Sequence, residues 1–224
     1  MKLIGAIASP YVTRALMFAR LKGVDLPLEN IPGNSPASDE YRALTPIGKI
    51  PVLDVDGKII AESEVICEYI EDVHPEPSGL PADAMGRATS RLISRITDLY
   101  IAPHTSSMFR QMNPKARDPE VVAAAVQDFE KGFGYLEHFM GDGPFCVGDT
   151  PTLGDCSLAP YMMLLKKTVF AAFAEIDDPT ESGRLGEWWQ AVQANDVCSA
   201  TVDEYATAVD GFMKAMGARI SGQG

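Results

Sequence analysis

The segment His74-Pro-Glu-Pro-Ser-Gly-Leu-Pro81 constrains this chain more than any other, because three prolines and a glycine exclude both a continuing helix and a central strand. It separates two textures. Before it, short apolar runs alternate with helical stretches: a strand over Lys2 to Ile7, a helix over Tyr11 to Lys22, a strand over Leu26 to Ile31 and a short helix over Asp39 to Leu44. Val52 to Val55 and Lys58 to Ala61 then flank Asp56-Gly57, a two-residue hairpin signal, and an amphipathic helix runs from Glu62 to His74. The order βαβαββα implies a small mixed sheet, with its first strands parallel through a helical crossover and its last two a hairpin. Beyond Ala82 only helical spacing remains, over Asp83 to Met112, Glu120 to Gly141, Thr152 to Lys167, Gly183 to Ala194 and Ser199 to Met216. At 224 residues the chain is long enough for two small domains. The expected division is an α/β domain over 1–74, a linker over 75–82 and an all-α domain over 83–220. The tail Ser221 to Gly224 reads as disordered.

With 19 Lys and Arg against 31 Asp and Glu, the net charge is −12, which opposes sequence-independent binding to nucleic acid or to anionic lipid. An anionic ligand must be held by a local arrangement. The four cysteines, Cys67, Cys146, Cys156 and Cys198, are scattered, with no CxxC pair and no histidine at metal-ligand spacing, so no metal is expected and the thiols read as reduced and packed. Nothing near Met1 resembles a signal peptide, and no run is long enough to span a membrane. A reducing cytoplasm is the expected location.

Two neighbouring motifs point to a ligand. In Gly48-Lys49-Ile50-Pro51-Val52-Leu53, the proline sits at a strand entry or turn where a cis bond is accommodated, and it leaves the backbone of Ile50 free to pair with an extended ligand. Glu62-Ser63 opens the next helix. Backbone amides and the Ser63 hydroxyl there suit a carboxylate, Glu62 suits an ammonium group, and Lys49 is the local cation. A small peptide with a free amino-acid head satisfies both motifs. Thr152-Leu-Gly-Asp155 forms a capping arrangement ahead of an apolar run, with a structural role.

These marks, together with Ser9-Pro10-Tyr11 and Arg14, Ile66 and Tyr69-Ile70, occur in an order and spacing that resemble the cytosolic glutathione transferases over essentially the whole chain. The resemblance implies a thioredoxin-like N-terminal domain holding glutathione as co-substrate and an all-helical C-terminal domain. A hydrophobic electrophile would lie between them, and the assembly would be a two-fold homodimer with a role in detoxification. Ser9-Pro10-Tyr11 is similar to the signature of the serine-type classes, which makes Ser9 the candidate that assists the glutathione thiol. The stretch from Glu62 to Pro75 also resembles bacterial members, including enzymes that cleave aryl ethers. Lys49, Ile50, Pro51, Glu62 and Ser63 are then the glutathione contacts.

Each reading has a plainer rival. Ser9 would cap a helix whose first residue is Pro10, Ser63 would be an ordinary cap, and Tyr11 competes with Ser9 for the sulfur or forms the rim of the electrophile pocket. Arg14 stands in a first turn, where a cation opposes the helix dipole, so it is expected to have an acidic partner and a structural role. Tyr100, His104 and Met108 recur every four residues and offer either a pocket wall or plain core, with Pro103 bending their helix. Trp188, Trp189 and Val192 are expected to pack the last helices. The leading function is thiol activation for attack on a largely apolar electrophile. The alternatives are a glutathione-dependent lyase or dehalogenase, a thiol reductase, for which Ser9 stands where a cysteine is preferred, and a non-catalytic binding or regulatory module.

Overall fold

The computed structural model describes residues 1–220, so the expectation for Ser221 to Gly224 lies outside the described residues. The N-terminal domain is thioredoxin-like. Its elements are β1 (Lys2–Ile4), α1 (Pro10–Leu21), β2 (Leu28–Glu29), α2 (Asp39–Leu44), β3 (Val52–Val55), β4 (Lys58–Ala61) and α3 (Ser63–Val73). The sheet order is β2-β1-β3-β4, with β1 parallel to β2 and antiparallel to β3, and β3 paired with β4 as the hairpin. Leu3, Leu53 and Ile60 share one row of the sheet, and Leu3 and Leu53 are fully buried. The expected strand over Leu26 to Ile31 shrinks to two exposed residues at the sheet edge. Leu26 turns into the core instead, and Pro27 contributes only its carbonyl, which accepts from Leu3 N at 2.8 Å.

The segment 75–82 contains no helix or strand but is tied down at several points. Lys22 Nζ donates to Glu71 and to the Pro77 carbonyl, both at 2.5 Å, and Glu71 also accepts from Gly79 N. Leu153 N donates to the Gly79 carbonyl.

The C-terminal domain is helical: α4 (Ala84–Ile96), α5 (Ala102–Arg110), α6 (Pro119–Phe139), α7 (Leu153–Lys167), α8 (Val169–Ala172), α9 (Gly183–Ala194) and α10 (Asp196–Ile220). One apolar core passes from Leu3 and Leu53 beneath the sheet, through α1, to α7 and α10. The single helix expected over Asp83 to Met112 is interrupted by a π turn at Thr97–Ile101. Pro103 lacks the N–H that would bond the carbonyl four residues back, and the helix widens there rather than simply bending, with Ala102 N donating to Thr97 O. Gly132 of α6 lets the turn approach closely, since a Cβ there would stand 3.0 Å from the Tyr100 carbonyl oxygen. Helix α10 starts at Asp196, three residues before the expected Ser199, because the Asn195 side chain accepts from Cys198 N.

The Thr152/Asp155 capping box is present and extends further than its sequence pattern indicates. The fully buried Asp155 carboxylate accepts from Thr152 N, Thr152 Oγ1, Cys146 N and Trp188 Nε1 at 2.7–2.9 Å. Four donors satisfy a charge that burial would otherwise penalise by several kcal/mol. They also fasten the start of α7 to α9 through Trp188, which is fully buried and packs at 5.7 Å against Trp189.

Candidate functional site

The site begins where α2 meets the entry to β3. Tyr41 is fully buried and its hydroxyl donates to the Lys49 carbonyl at 2.7 Å, while burial pushes its phenol up to about 12. Gly48, at φ 64, turns the chain, and the Ile50-Pro51 bond is cis. Among the described residues, none of the backbone hydrogen bonds outside the regular elements uses Ile50.

At the far end of the hairpin Glu62 stands at the N-cap of α3 with φ 72 and ψ 117, a left-sided conformation uncommon for a residue with a Cβ. Ser63 follows as the first helical residue and is only 5% exposed. Its hydroxyl oxygen accepts from Arg14 Nη1 at 3.2 Å. The acidic partner expected for Arg14 is Asp98, held through two bonds at 3.0 and 2.5 Å. Arg14 is 2% exposed, and its Nε has no hydrogen-bond partner among the described residues. Burial acts against the charged guanidinium, but the Asp98 bond and charge outweigh it and raise its pKa. The guanidinium also lies 5.4 Å from the Tyr11 ring centre. Burial, reinforced by Asp98 and opposed by Arg14, raises the Tyr11 pKa, so its hydroxyl keeps its proton and remains a donor.

Tyr11, Lys49, Ile50, Pro51, Glu62 and Ser63 all line one cavity of about 680 Å³. Arg14, Arg95, Asp98 and Leu99 complete its wall from both domains. Among the described residues Lys49 and Arg95 have no ion-pair partner, whereas Glu68 is held by Arg91 and Asp98 by Arg14. Glu62 and Glu64 line the same cavity and form no ion pair among the described residues either, so it offers both cations and carboxylates to a ligand.

Other candidates lie elsewhere. Ser9 is the N-cap of α1, half-buried, and is not part of the lining; its hydroxyl makes no capping bond, so the plain capping role proposed for that side chain is absent. Tyr100, His104 and Met108 do not reach the cavity. Tyr100 packs edge-on against Tyr135 at 5.4 Å and His104 against Phe129 at 6.0 Å, both on α6, while Met108 is fully buried core. Tyr100 and His104 still share one face across the widened turn, but that face packs on α6 rather than lining the cavity. Arg14, Arg95 and Asp98 were not anticipated as cavity residues. The available signals were a cation in a first turn beside Ser9 and a proline five residues beyond Asp98.

Among the described residues no cluster of His, Cys, Asp or Glu could hold a metal, and no helix is long and apolar enough to cross a membrane.

Residues 3–78 match the family description "Glutathione S-transferase, N-terminal domain", and residues 119–191 match "Glutathione S-transferase, C-terminal domain". The chain is 32% identical over 169 residues to a maleylacetoacetate isomerase of Pseudomonas aeruginosa, covering 72% of this chain and 80% of that one. Among solved structures, a tau-class glutathione S-transferase from mango superposes with a TM-score of 0.79 at 26% identity, over 96% of this chain and 97% of that one. A glutathione S-transferase from Methylobacterium radiotolerans in complex with glutathione sulfonate superposes with a TM-score of 0.71 at 25% identity, over 90% and 93%.

Proposed function

The chain belongs to the glutathione S-transferase family, whose members use glutathione, and from that premise we propose that its cavity binds glutathione and activates the thiol for attack on a largely apolar electrophile. The observation that carries this reading is the convergence of Lys49, Ile50, Pro51, Glu62 and Ser63, from two loops, on one cavity. In this reading the Ile50 backbone pairs with the peptide backbone of glutathione, and Lys49 faces a carboxylate. Ser63 already accepts from Arg14, so its O–H is free to donate to the γ-glutamyl carboxylate, while Glu62 accepts from the ammonium group. Ser9 and the amides opening α1 receive the sulfur, and Tyr11 forms the rim on the electrophile side. A free thiol has a pKa of about 8.5, and each unit removed corresponds to about 1.4 kcal/mol of preference for the thiolate. A hydroxyl donor at a helix N-terminus supplies a shift of that order.

The named relatives favour a second use of the same thiolate. In an isomerase reaction the thiolate adds to a conjugated cis double bond, the resulting single bond rotates, and expulsion of the same thiolate restores the double bond in the trans form. Glutathione is regenerated. The residues 75–82 would separate the glutathione domain from the helical domain, the assembly would be a homodimer, and the four buried thiols suit a reducing cytoplasm.

Calorimetric titration with glutathione, followed by turnover of an aryl halide and of a cis-enedione acid, tests both uses. One glutathione per chain with aryl halide turnover supports transfer, and turnover of the enedione alone supports isomerisation. Absence of glutathione binding overturns both. Full turnover by Ser9→Ala removes Ser9 from the sulfur.

A further inference from the structure

The glutathione contacts proposed above leave Glu64 unused. It follows Ser63 in the first turn of α3, lines the same cavity, and forms no ion pair among the described residues. The charges that face it are largely taken by one another. Arg14 of α1 is paired with Asp98 of the π turn, and Arg91 of α4 with Glu68 of α3, while Arg95 of α4 is exposed to solvent. The Cys67 thiol behind it is fully buried and protonated, and Lys49 and Glu62 stand across the cavity wall.

The hydrogen bonds of Glu64 imply a proton count. Its Oε2 lies 3.1 Å from Ser94 Oγ, Ser94 Oγ lies 2.6 Å from Ser157 Oγ, and Ser157 Oγ lies 3.1 Å from the Leu153 carbonyl oxygen. Both serines are buried. Each hydroxyl carries one proton, so the two serines can fill only two of these three contacts. With Glu64 ionised, Ser157 donates to Ser94 and Ser94 to Glu64, and the Leu153 contact has no hydroxyl proton. With Glu64 protonated, its carboxyl donates to Ser94, Ser94 to Ser157 and Ser157 to Leu153. All three contacts are then filled, with no atom displaced. Burial favours the same protonated form.

We propose that Glu64 takes up a proton when the γ-glutamyl carboxylate of glutathione docks at the start of α3, and so acts as a proton-coupled binding residue. The inference rests on the glutathione reading above. A carboxylate held by Ser63 and the first amides of α3 stands beside Glu64, and a like charge next to a partly buried carboxylate favours its neutral form. The proton comes from solvent. Once protonated, Glu64 no longer repels the ligand.

The test is calorimetric titration of the whole chain with S-methylglutathione, which has no thiol proton to release, in buffers of different ionisation enthalpy between about pH 5 and pH 8. The slope of observed enthalpy against buffer ionisation enthalpy counts protons. An uptake approaching about one per bound ligand is expected within that window, and affinity should rise by up to about tenfold per unit as pH falls. Glu64→Gln keeps the shape and the donor of the protonated side chain. It should bind without proton uptake and, at the upper end of the window, more tightly than the parent chain. Thermal melting verifies that the variant is folded, and the proton count of the parent chain does not depend on it. Binding with no proton uptake, uptake retained by Glu64→Gln, or weaker binding by Glu64→Gln at the upper pH would each overturn this proposal alone. Absence of any binding would overturn it together with the glutathione reading.

Discussion

The interdomain cavity and the outer face of α6 are built from the same acidic chain, yet their charged side chains are partnered differently. In the cavity, Asp98 is taken by Arg14 and Glu68 by Arg91, whereas Lys49 and Arg95 on one side and Glu62 and Glu64 on the other form no ion pair among the described residues, so both signs are left for a ligand. Beside α6, Lys131 is paired with Asp128 and Arg117 donates to carbonyls, while Glu130, Glu137, Glu175 and Asp177 form no ion pair among the described residues. Net charge therefore says little about an individual site. What decides local sign is which partner each side chain has already taken, and that depends on the fold.

The largest way to break this contrast is to release Arg14. Asp98→Ala strands a guanidinium that is only 2% exposed, and the expected loss of stability is about 3–5 kcal/mol in urea denaturation, with weaker glutathione binding through the displaced Ser63. A loss well under about 1 kcal/mol would mean that the ion pair is solvated after all. Ser63→Ala is narrower. It keeps the ion pair and should raise the Kd for glutathione about tenfold, or about 1.4 kcal/mol. Arg95→Gln and Lys49→Gln should each weaken glutathione by roughly threefold, an effect that shrinks as salt is raised and vanishes if neither cation faces a carboxylate. Gly134→Ala acts on the other side of the comparison: on an open helical surface it should add up to about 1 kcal/mol of stability with no change in glutathione affinity.

The smallest expected effect concerns Glu64, a cavity residue whose hydroxyl partner is Ser94. Burial raises its carboxyl above the ordinary 4.5, with Asp98 adding to the shift and Arg14, Ser94 and Arg95 opposing it. The folded chain then keeps a proton that the unfolded chain has lost. The stabilising contribution is complete below about pH 4.5 and declines as pH rises through the higher folded value. Melting curves across that range should show a shallower decline in Glu64→Gln, and an unchanged slope would assign the decline to another group.

Much of the fold was legible because its signals are local. Asp56-Gly57 placed the hairpin, Pro10 and Pro75 bounded helices, and Thr152/Asp155 marked the start of α7. The cavity was partly legible for the same reason, since Lys49 to Pro51 and Glu62-Ser63 are contiguous motifs. Arg14 and Asp98 are 84 positions apart, and nothing local to either residue specifies the other. Tyr100 and His104 share a face, as their spacing implies, but that face packs on α6, since helical spacing says which residues lie together and not what they meet. Helix α8 is too short for periodicity to reveal.

The placement of the four cysteines has a chemical consequence. Cys67, Cys146, Cys156 and Cys198 are all buried and unbridged, and burial raises every one of their thiols, Cys198 to about 12. Thiolate is the form that reacts with electrophiles and exchanges with disulfides. A catalyst that concentrates a reactive sulfur and its target inside itself is exposed to alkylation by its own substrate and to mixed disulfides with its own co-substrate. Here the protein's own thiols are buried and held protonated, so in the proposed reaction the nucleophile would come from the tripeptide and the scaffold would be spared self-inactivation.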